Sequence, residues 1–169
     1  MRFKNIRTQY FVEGECEKKL IRTLIAQKLI VPGQTDVLNP VQAHIKATHL
    51  RRLPEKVRII LVFDTDTAEL RILEENIRYL RAQHGKELIT IPQVLNLEDE
   101  LIRCTDIRYI RNLLNSAHDS DFKTAFIEER NLFEKLLTHR FDSNKLWSLD
   151  PDKVFRKIGV ANQSALIRL

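Results

Sequence analysis

Acidic residues directly follow two apolar runs of the sequence. Glu13 follows the run 7–12, and Asp64 and Asp66 follow the run 57–63. In open parallel sheets, ligands bind outside the carboxyl ends of the strands, and neighbouring strands lie about 5 Å apart. If the two runs are neighbouring strands, three carboxylates converge and repel one another unless a cation or protons neutralise them. Hard oxygen ligands of this kind suit Mg²⁺ or Mn²⁺, so the spacing predicts a divalent-metal site.

Each of these acids also has a purely structural explanation. Asp66 or Thr67 is placed to cap the helix that follows. Glu13 is placed where the dipole of the next helix favours an acid. Capping explains at most one acid per helix, whereas three acids follow two strands. The set as a whole therefore favours function.

Strands and helices alternate in the part of the chain that must position these acids. Hydrophobic periodicity predicts strands over 7–12, 35–38, 57–63 and 88–91. It predicts helices over 15–30, from Asn39 to before Pro54, and around 70–80 with an end at Gly85. Such alternation predicts an α/β fold, with a parallel sheet between two layers of helices.

The pattern becomes helical after Pro92. Helices are predicted over 97–104, 106–114, 122–139 and 151–158. A chain of 169 residues fits one domain with a helical appendage. We therefore expect an α/β core over 1–95 and a helical extension over 96–169 that packs on it.

Composition restricts the possible classes of protein. The chain is 43% hydrophobic and 30% charged, which is typical of a globular protein and not of a disordered one. No segment approaches the roughly 20 apolar residues of a membrane span, and the first residues do not resemble a signal peptide. Neither Cys16 nor Cys104 belongs to a CxxC pair, which favours a reducing compartment and predicts a cytoplasmic protein. The net charge of +5 permits a nucleic-acid partner.

The order of these motifs resembles the TOPRIM domain over roughly residues 7–92. The matching features are Val12-Glu13-Gly14, then Glu17-Lys18 on a helix, then an apolar strand that ends in Asp64-x-Asp66. The resemblance implies a Rossmann-like parallel sheet. It also implies that Glu13 acts in acid–base chemistry or metal binding, and that Asp64 and Asp66 bind Mg²⁺ or Mn²⁺.

The chain is too short for a topoisomerase and has no zinc-binding region of the kind found in bacterial primases. It is similar to the small nuclease-type members of the family, the OLD-family and RloB-like proteins of bacterial phage defence. That similarity implies a further metal ligand, for which Glu98 is the first candidate and Asp99 the second, and a catalytic lysine, for which Lys123 is the candidate. Glu98 is also explained as an acid in a first helical turn, and Lys123 as a solvated surface lysine.

The expected function is metal-dependent cleavage of phosphodiester bonds in DNA or RNA. The basic groups Arg51-Arg52 and Arg103-Arg108-Arg111 are predicted to flank the acids and to contact the phosphate backbone, although such groups are often only solvated surface. One alternative is a catalytically inactive module of the same fold that binds nucleic acid or a partner ATPase.

A second alternative is a phosphatase, because Asp64-x-Asp66 after an apolar strand also resembles the first motif of haloacid-dehalogenase-like enzymes. That pattern has Thr or Val where this chain has Ala68, and it stands on the first strand rather than the third. It also gives Glu13 no role. The sequence therefore favours a nuclease over a phosphatase.

Overall fold

The sheet at the centre of the protein is parallel throughout, as the alternation of strands and helices predicts. The computed structural model describes residues 6–169. Its strands are β1 (Arg7–Val12), β2 (Gln34–Val37), β3 (Val57–Asp64) and β4 (Lys86–Gln93). They form one sheet in the order β2-β1-β3-β4. The α/β class with a parallel sheet flanked by helices is therefore confirmed.

Seven α-helices lie in the described residues: α1 (Glu15–Ala26), α2 (Ala47–Leu50), α3 (Arg71–Arg81), α4 (Leu97–Arg103), α5 (Phe122–Glu128), α6 (Leu132–Thr138) and α7 (Lys153–Lys157). Short 3₁₀ turns cover Ile110–Leu113, Asp119–Asp121 and Ser164–Ile167. None of the helices over residues 6–169 has the length and apolar character that crossing a bilayer requires.

Both faces of the sheet are covered, which explains why β3 is apolar along nearly its whole length. Seven of its eight residues are buried, and Asp64 at its end is half-buried. On one face, Ile60 and Val62 share a core cluster with α1, α4, α5 and α6. On the other face, Ile59 and Leu61 pack with α3 and α7. A strand buried on both faces reads as a continuous apolar run.

The strand order places a topological switch point at the centre of the sheet. From β1 the chain crosses to β2 on one side and then returns to β3 on the other side. In parallel α/β sheets, the crevice at such a point, outside the carboxyl ends of the strands, is where ligands bind. Here that crevice lies at the ends of β1 and β3, which the acids follow.

All four strands precede residue 95, and the elements beyond it are helical. Helices α4, α5 and α6 contribute to the same core cluster as α1 and the strands. The second part of the chain is therefore packed against the sheet. The division into two units at residue 95 stays a prediction.

The helix predicted from Asn39 to before Pro54 is wrong over most of its length, because only Ala47–Leu50 is helical. The Asn39 side chain does accept a hydrogen bond from a following backbone amide, Val41 N, at 2.9 Å. That bond closes a local turn and does not start a helix. Asparagine favours such turns as strongly as it favours helix caps.

The helix predicted over 122–139 is two helices, α5 and α6. Glu129 has an extended backbone (φ −62°, ψ 117°), which ends α5 and turns the chain before α6. The helix predicted over 106–114 is only the 3₁₀ turn Ile110–Leu113. In addition, α1 ends at Ala26 rather than near residue 30.

Candidate metal centre

The structure brings Glu13 and Asp64 together at the switch point. Val12 pairs with Val62 in the β1–β3 ladder, so the residues that follow are neighbours. The backbone N–H of Asp64 donates a hydrogen bond to Glu13 Oε2 at 2.8 Å. Two acids that are 51 residues apart in sequence therefore meet at one edge of the sheet.

A cavity of about 310 Å³ opens at this edge. Five acidic residues line it, namely Glu13, Glu15, Glu17, Asp64 and Glu98, and Lys123 also lines it. Three of the five acids and the lysine are the candidates from the sequence. Glu15 and Glu17 are not among those candidates.

Asp64 has the most unfavourable environment for a charge. Burial and, to a smaller extent, the neighbouring carboxylates Glu13, Glu17, Asp66 and Glu98 together raise the pKa of its carboxyl to about 9. Its Oδ1 is buried and has no hydrogen-bond partner within the described residues. At neutral pH, Asp64 therefore holds a proton unless a cation takes the proton's place.

Glu17 contributes a second buried acid to the cavity. Its side chain is 7% exposed, and burial raises the pKa of its carboxyl, with further increases from Glu13 and Glu98. Its Oε2 would lie only 3.1 Å from a Cβ added at Gly14, so the chain passes close to it there. The signal in the sequence is the four-residue spacing of Glu13 and Glu17 across the start of α1.

Glu98 and Lys123 reach the cavity from the helical half of the chain. Glu98 lies in the first turn of α4, where Asn96 Oδ1 accepts a hydrogen bond from Asp99 N at 3.0 Å. Lys123 lies at the start of α5, and its Nζ is 3.8 Å from Glu98 Oε1. The lysine side chain is 74% exposed, so its ammonium group is free to move toward a bound anion.

Asp66 lies beside the cavity rather than in it. It is exposed, in the loop that follows β3, and it is not among the residues that line the cavity. Its negative charge nevertheless helps to raise the pKa of the Asp64 carboxyl. Asp66 therefore reaches a cation at Asp64 only if the loop moves toward the cavity.

The donor set fits a hard divalent cation in its chemistry. Oxygen is the only donor element that these acids offer, and a cation would neutralise their mutual repulsion. Within residues 6–169, no three His, Cys, Asp or Glu side chains already stand in a ready-made ligand set. Loading would therefore require side-chain adjustment and loss of the Asp64 proton.

Arg51 and Arg52 precede β3, at the end of that strand away from Asp64, and their predicted contact with the phosphate backbone stays a prediction. Arg52 lines a cavity formed by the first residues of β1, β2 and β3 and pairs with Asp36 at 2.5 Å. The chain enters β3 just after these arginines and reaches Asp64 only at the far end. That strand is roughly 25 Å long.

Arg103 is held inside the fold. Its guanidinium group is 2.7 Å from Glu100 Oε1 and donates to the backbone carbonyl of Val94 at 2.7 Å. Glu100 is completely buried. The positive charge of Arg103 is therefore already paired within the fold. A contact between Arg103 and nucleic acid stays a prediction.

Arg108 and Arg111 surround an exposed aromatic ring. Their guanidinium carbons lie 5.5 Å and 4.6 Å from the centre of the Tyr109 ring, which belongs to a residue 44% exposed. Arg111 also pairs with Asp119 at 3.4 Å. The 3₁₀ turn that contains Asp119 leads directly into α5 and Lys123, so this Arg-Tyr-Arg cluster lies on the side of the protein that carries the lysine.

Comparison with known proteins found no match to this chain among protein-family models, curated proteins or solved structures. The geometry of the site is therefore the basis for any function assigned to it.

Proposed function

We propose that the protein is a metal-dependent nuclease of the TOPRIM type, which hydrolyses phosphodiester bonds. The observation that carries the proposal is the convergence of Glu13, Glu17, Asp64 and Glu98 on one cavity at the switch point, with Lys123 at its rim. A fold gains no stability from gathering these acids in a half-buried space. The arrangement makes sense if a cation occupies that space in the working protein.

The candidate side chains predicted from the sequence each have a role in such a reaction. Asp64 and Glu98 would hold Mg²⁺ or Mn²⁺, with Asp66 joining them if its loop moves, and Glu13 would complete the shell or act as general base. Bound there, the metal would polarise the scissile phosphate and lower the pKa of an attacking water. Lys123 would stabilise the negative charge that develops on the phosphate.

The Arg-Tyr-Arg cluster supports a nucleic-acid substrate. Arginine guanidinium groups pair with phosphates, and an exposed tyrosine ring offers a face on which an unpaired base can stack. Arg111 is oriented by Asp119, and the Tyr109 backbone N–H donates to Asn112 Oδ1 at 3.1 Å, so the segment is held in place before any ligand binds. A role in phage defence rests on the TOPRIM resemblance alone, and a cytoplasmic location rests on the absence of paired cysteine motifs.

The test incubates the purified protein with plasmid, single-stranded DNA and transfer RNA, each with Mg²⁺, Mn²⁺ or EDTA. We expect cleavage that requires metal and that Asp64→Asn abolishes. Asp150→Asn is the matched control, because Asp150 is exposed and far along the chain from the cavity. Absence of cleavage with every substrate and metal, or cleavage that Asp64→Asn leaves unchanged, would refute the proposal.

The second candidate is an inactive module that binds nucleic acid or a partner ATPase. Two of the acids already have partners within the fold, which favours this candidate. Glu13 accepts a backbone hydrogen bond, and Glu98 pairs with Lys123. Such a module would bind single-stranded DNA in EDTA, would lose affinity with Tyr109→Ala, and would never cleave. A phosphatase of the haloacid-dehalogenase type remains less favoured, because its chemistry gives no role to Glu13.

A further inference from the structure

Gln93, the last residue of β4, has an unusual environment for an amide. The residue is 0% exposed, and within residues 6–169 neither its Nε2 nor its Oε1 has a hydrogen-bond partner. Its backbone carbonyl is used, since it accepts from Thr65 N and from Thr65 Oγ1, both at 3.0 Å. Buried amides are nearly always paired, so an unpaired one requires a specific explanation.

The register of the sheet places Gln93 beside Asp64. The two residues are paired in the β3–β4 ladder, and paired residues of parallel strands direct their side chains to the same face. Ile91 of β4 and Val62 of β3, each two residues earlier, share one core cluster, so Asp64 and Gln93 belong to that face. Two neighbouring side chains, each buried in part or whole, thus both carry polar atoms without a partner.

We propose that Gln93 is a positioning residue for Asp64, an inference that rests on the proposed metal-binding function. When Asp64 holds a divalent cation, the Gln93 Nε2–H donates to Asp64 Oδ1 and fixes the plane of the carboxylate, leaving Oδ2 to the metal. Hydrogen bonds to ligating carboxylates commonly fix the geometry of metal sites in this way. The unpaired Gln93 amide then belongs to the protein before it binds the metal ion.

The proposal predicts effects of opposite sign on stability and on metal binding for Gln93→Met, which keeps the length of the side chain and removes its polar atoms. Without metal, the melting temperature should rise, because the variant buries no unpaired amide. The affinity for Mn²⁺, measured by calorimetric titration, should fall by about tenfold or more. Gln9→Met is the matched control: Gln9 is also buried in the sheet, but its Nε2 is paired with Tyr10 O and Asp36 Oδ2. That variant should lose stability and bind Mn²⁺ as the wild type does.

Three other results would overturn the inference. If the wild type and Gln93→Met bind Mn²⁺ equally, Gln93 does not position Asp64 and the proposed function still stands. If Gln93→Met lowers the melting temperature, the amide is a structural group. If the wild type binds no Mn²⁺, both the inference and the proposed metal centre fail.

Discussion

Asp64 is a half-buried carboxylate and Glu100 a fully buried one, and the groups that surround them differ in kind. Glu100 is 0% exposed and has three partners: the Arg103 guanidinium at 2.7 Å, Val94 N at 2.9 Å and Trp147 N at 2.9 Å. Asp64 has an unpaired Oδ1 and other acids around it. The comparison teaches how to separate a structural acid from a functional one. The fold supplies a cation and donors to Glu100, whereas under the proposed function Asp64 would obtain its cation from outside.

One helix serves both regions. Glu98 and Glu100 are two residues apart on α4, about 200° around the helix axis, so they point in different directions. Glu98 lines the acidic cavity at the switch point, while Glu100 lies in the interior against Arg103 and Trp147. Glu100 therefore fixes α4 in the interior, and Glu98 on the same helix contributes to the site.

Asp64→Asn is the change with the largest expected effect. If it left cleavage unchanged, the distinction between Asp64 and Glu100 would be lost. We expect the rate of metal-dependent cleavage to fall by more than about 100-fold, because an amide is a poor ligand for a hard cation that contributes several kcal/mol to the transition state. Stability without metal should be unchanged or higher, because asparagine is neutral without the proton that Asp64 must take up at neutral pH when the chain folds. Nuclease assays and thermal melts in EDTA measure the two effects. A marked loss of stability would make Asp64 a structural acid like Glu100.

Glu100→Gln should have the opposite profile. Removing the charge leaves the Arg103 guanidinium without its buried partner, which we expect to cost about 3–5 kcal/mol of unfolding free energy. Equilibrium urea unfolding measures this. Glu98→Gln on the same helix is the control and should cost less than about 1 kcal/mol, because the Glu98 side chain is 26% exposed and its ion pair is weak. Equal losses in the two variants would remove the distinction between the two regions.

The pH dependence of stability sharpens the comparison further. The Asp64 pKa of about 9 lies well above the value of about 4 for an unfolded aspartate. Between these values the native state binds the proton more tightly than the unfolded chain does, so without metal stability should fall as pH rises from about 4 toward 9. Thermal melts in EDTA across this range should show a smaller decline for Asp64→Asn than for the wild type. Parallel profiles would mean that Asp64 is ionised in the native protein.

Lys123→Ala should have the smallest effect on stability. Its ammonium group is mostly exposed and 3.8 Å from Glu98, so the change should alter the free energy of unfolding by less than about 1 kcal/mol. The rate of cleavage should nevertheless fall, because the lysine faces the position of the developing charge. Urea unfolding and single-turnover assays separate the two effects. A variant that cleaves at the wild-type rate would leave Lys123 as a surface residue.

The sheet was predictable because its signals are local. The apolar run of β3 and the acids after it identify a buried strand end without knowledge of the rest of the chain. The sequence predicts a helix start at Asn39, where the structure has a turn, because an asparagine side chain accepts the same kind of backbone hydrogen bond in a turn and at a helix start. The break at Glu129 depends on backbone angles that no spacing of apolar residues reveals.

The site was predictable only in part. Glu98 was distinguished from Glu100 by resemblance, since the sequence does not show which side of α4 faces the sheet. The distance between Arg52 and the acids depends on the fold, because the loop that carries Arg52 leads into the start of β3 and the acids lie at the other end of that strand. The isolation of Gln93 depends on what surrounds it in space, and nothing in its local sequence indicates that both polar atoms lack partners.

The bond between Glu13 and Asp64 N has a consequence for the order of folding. The two residues are 51 positions apart and meet only through the β1–β3 pairing, so the acids stay dispersed until the central pair of strands has formed. Electrostatic repulsion among them therefore arises at a non-local, late step, the kind of step that slows folding. Divalent cations present during synthesis would relieve that repulsion as the strands join, so the ion proposed for the finished site would also help the chain to reach its native state.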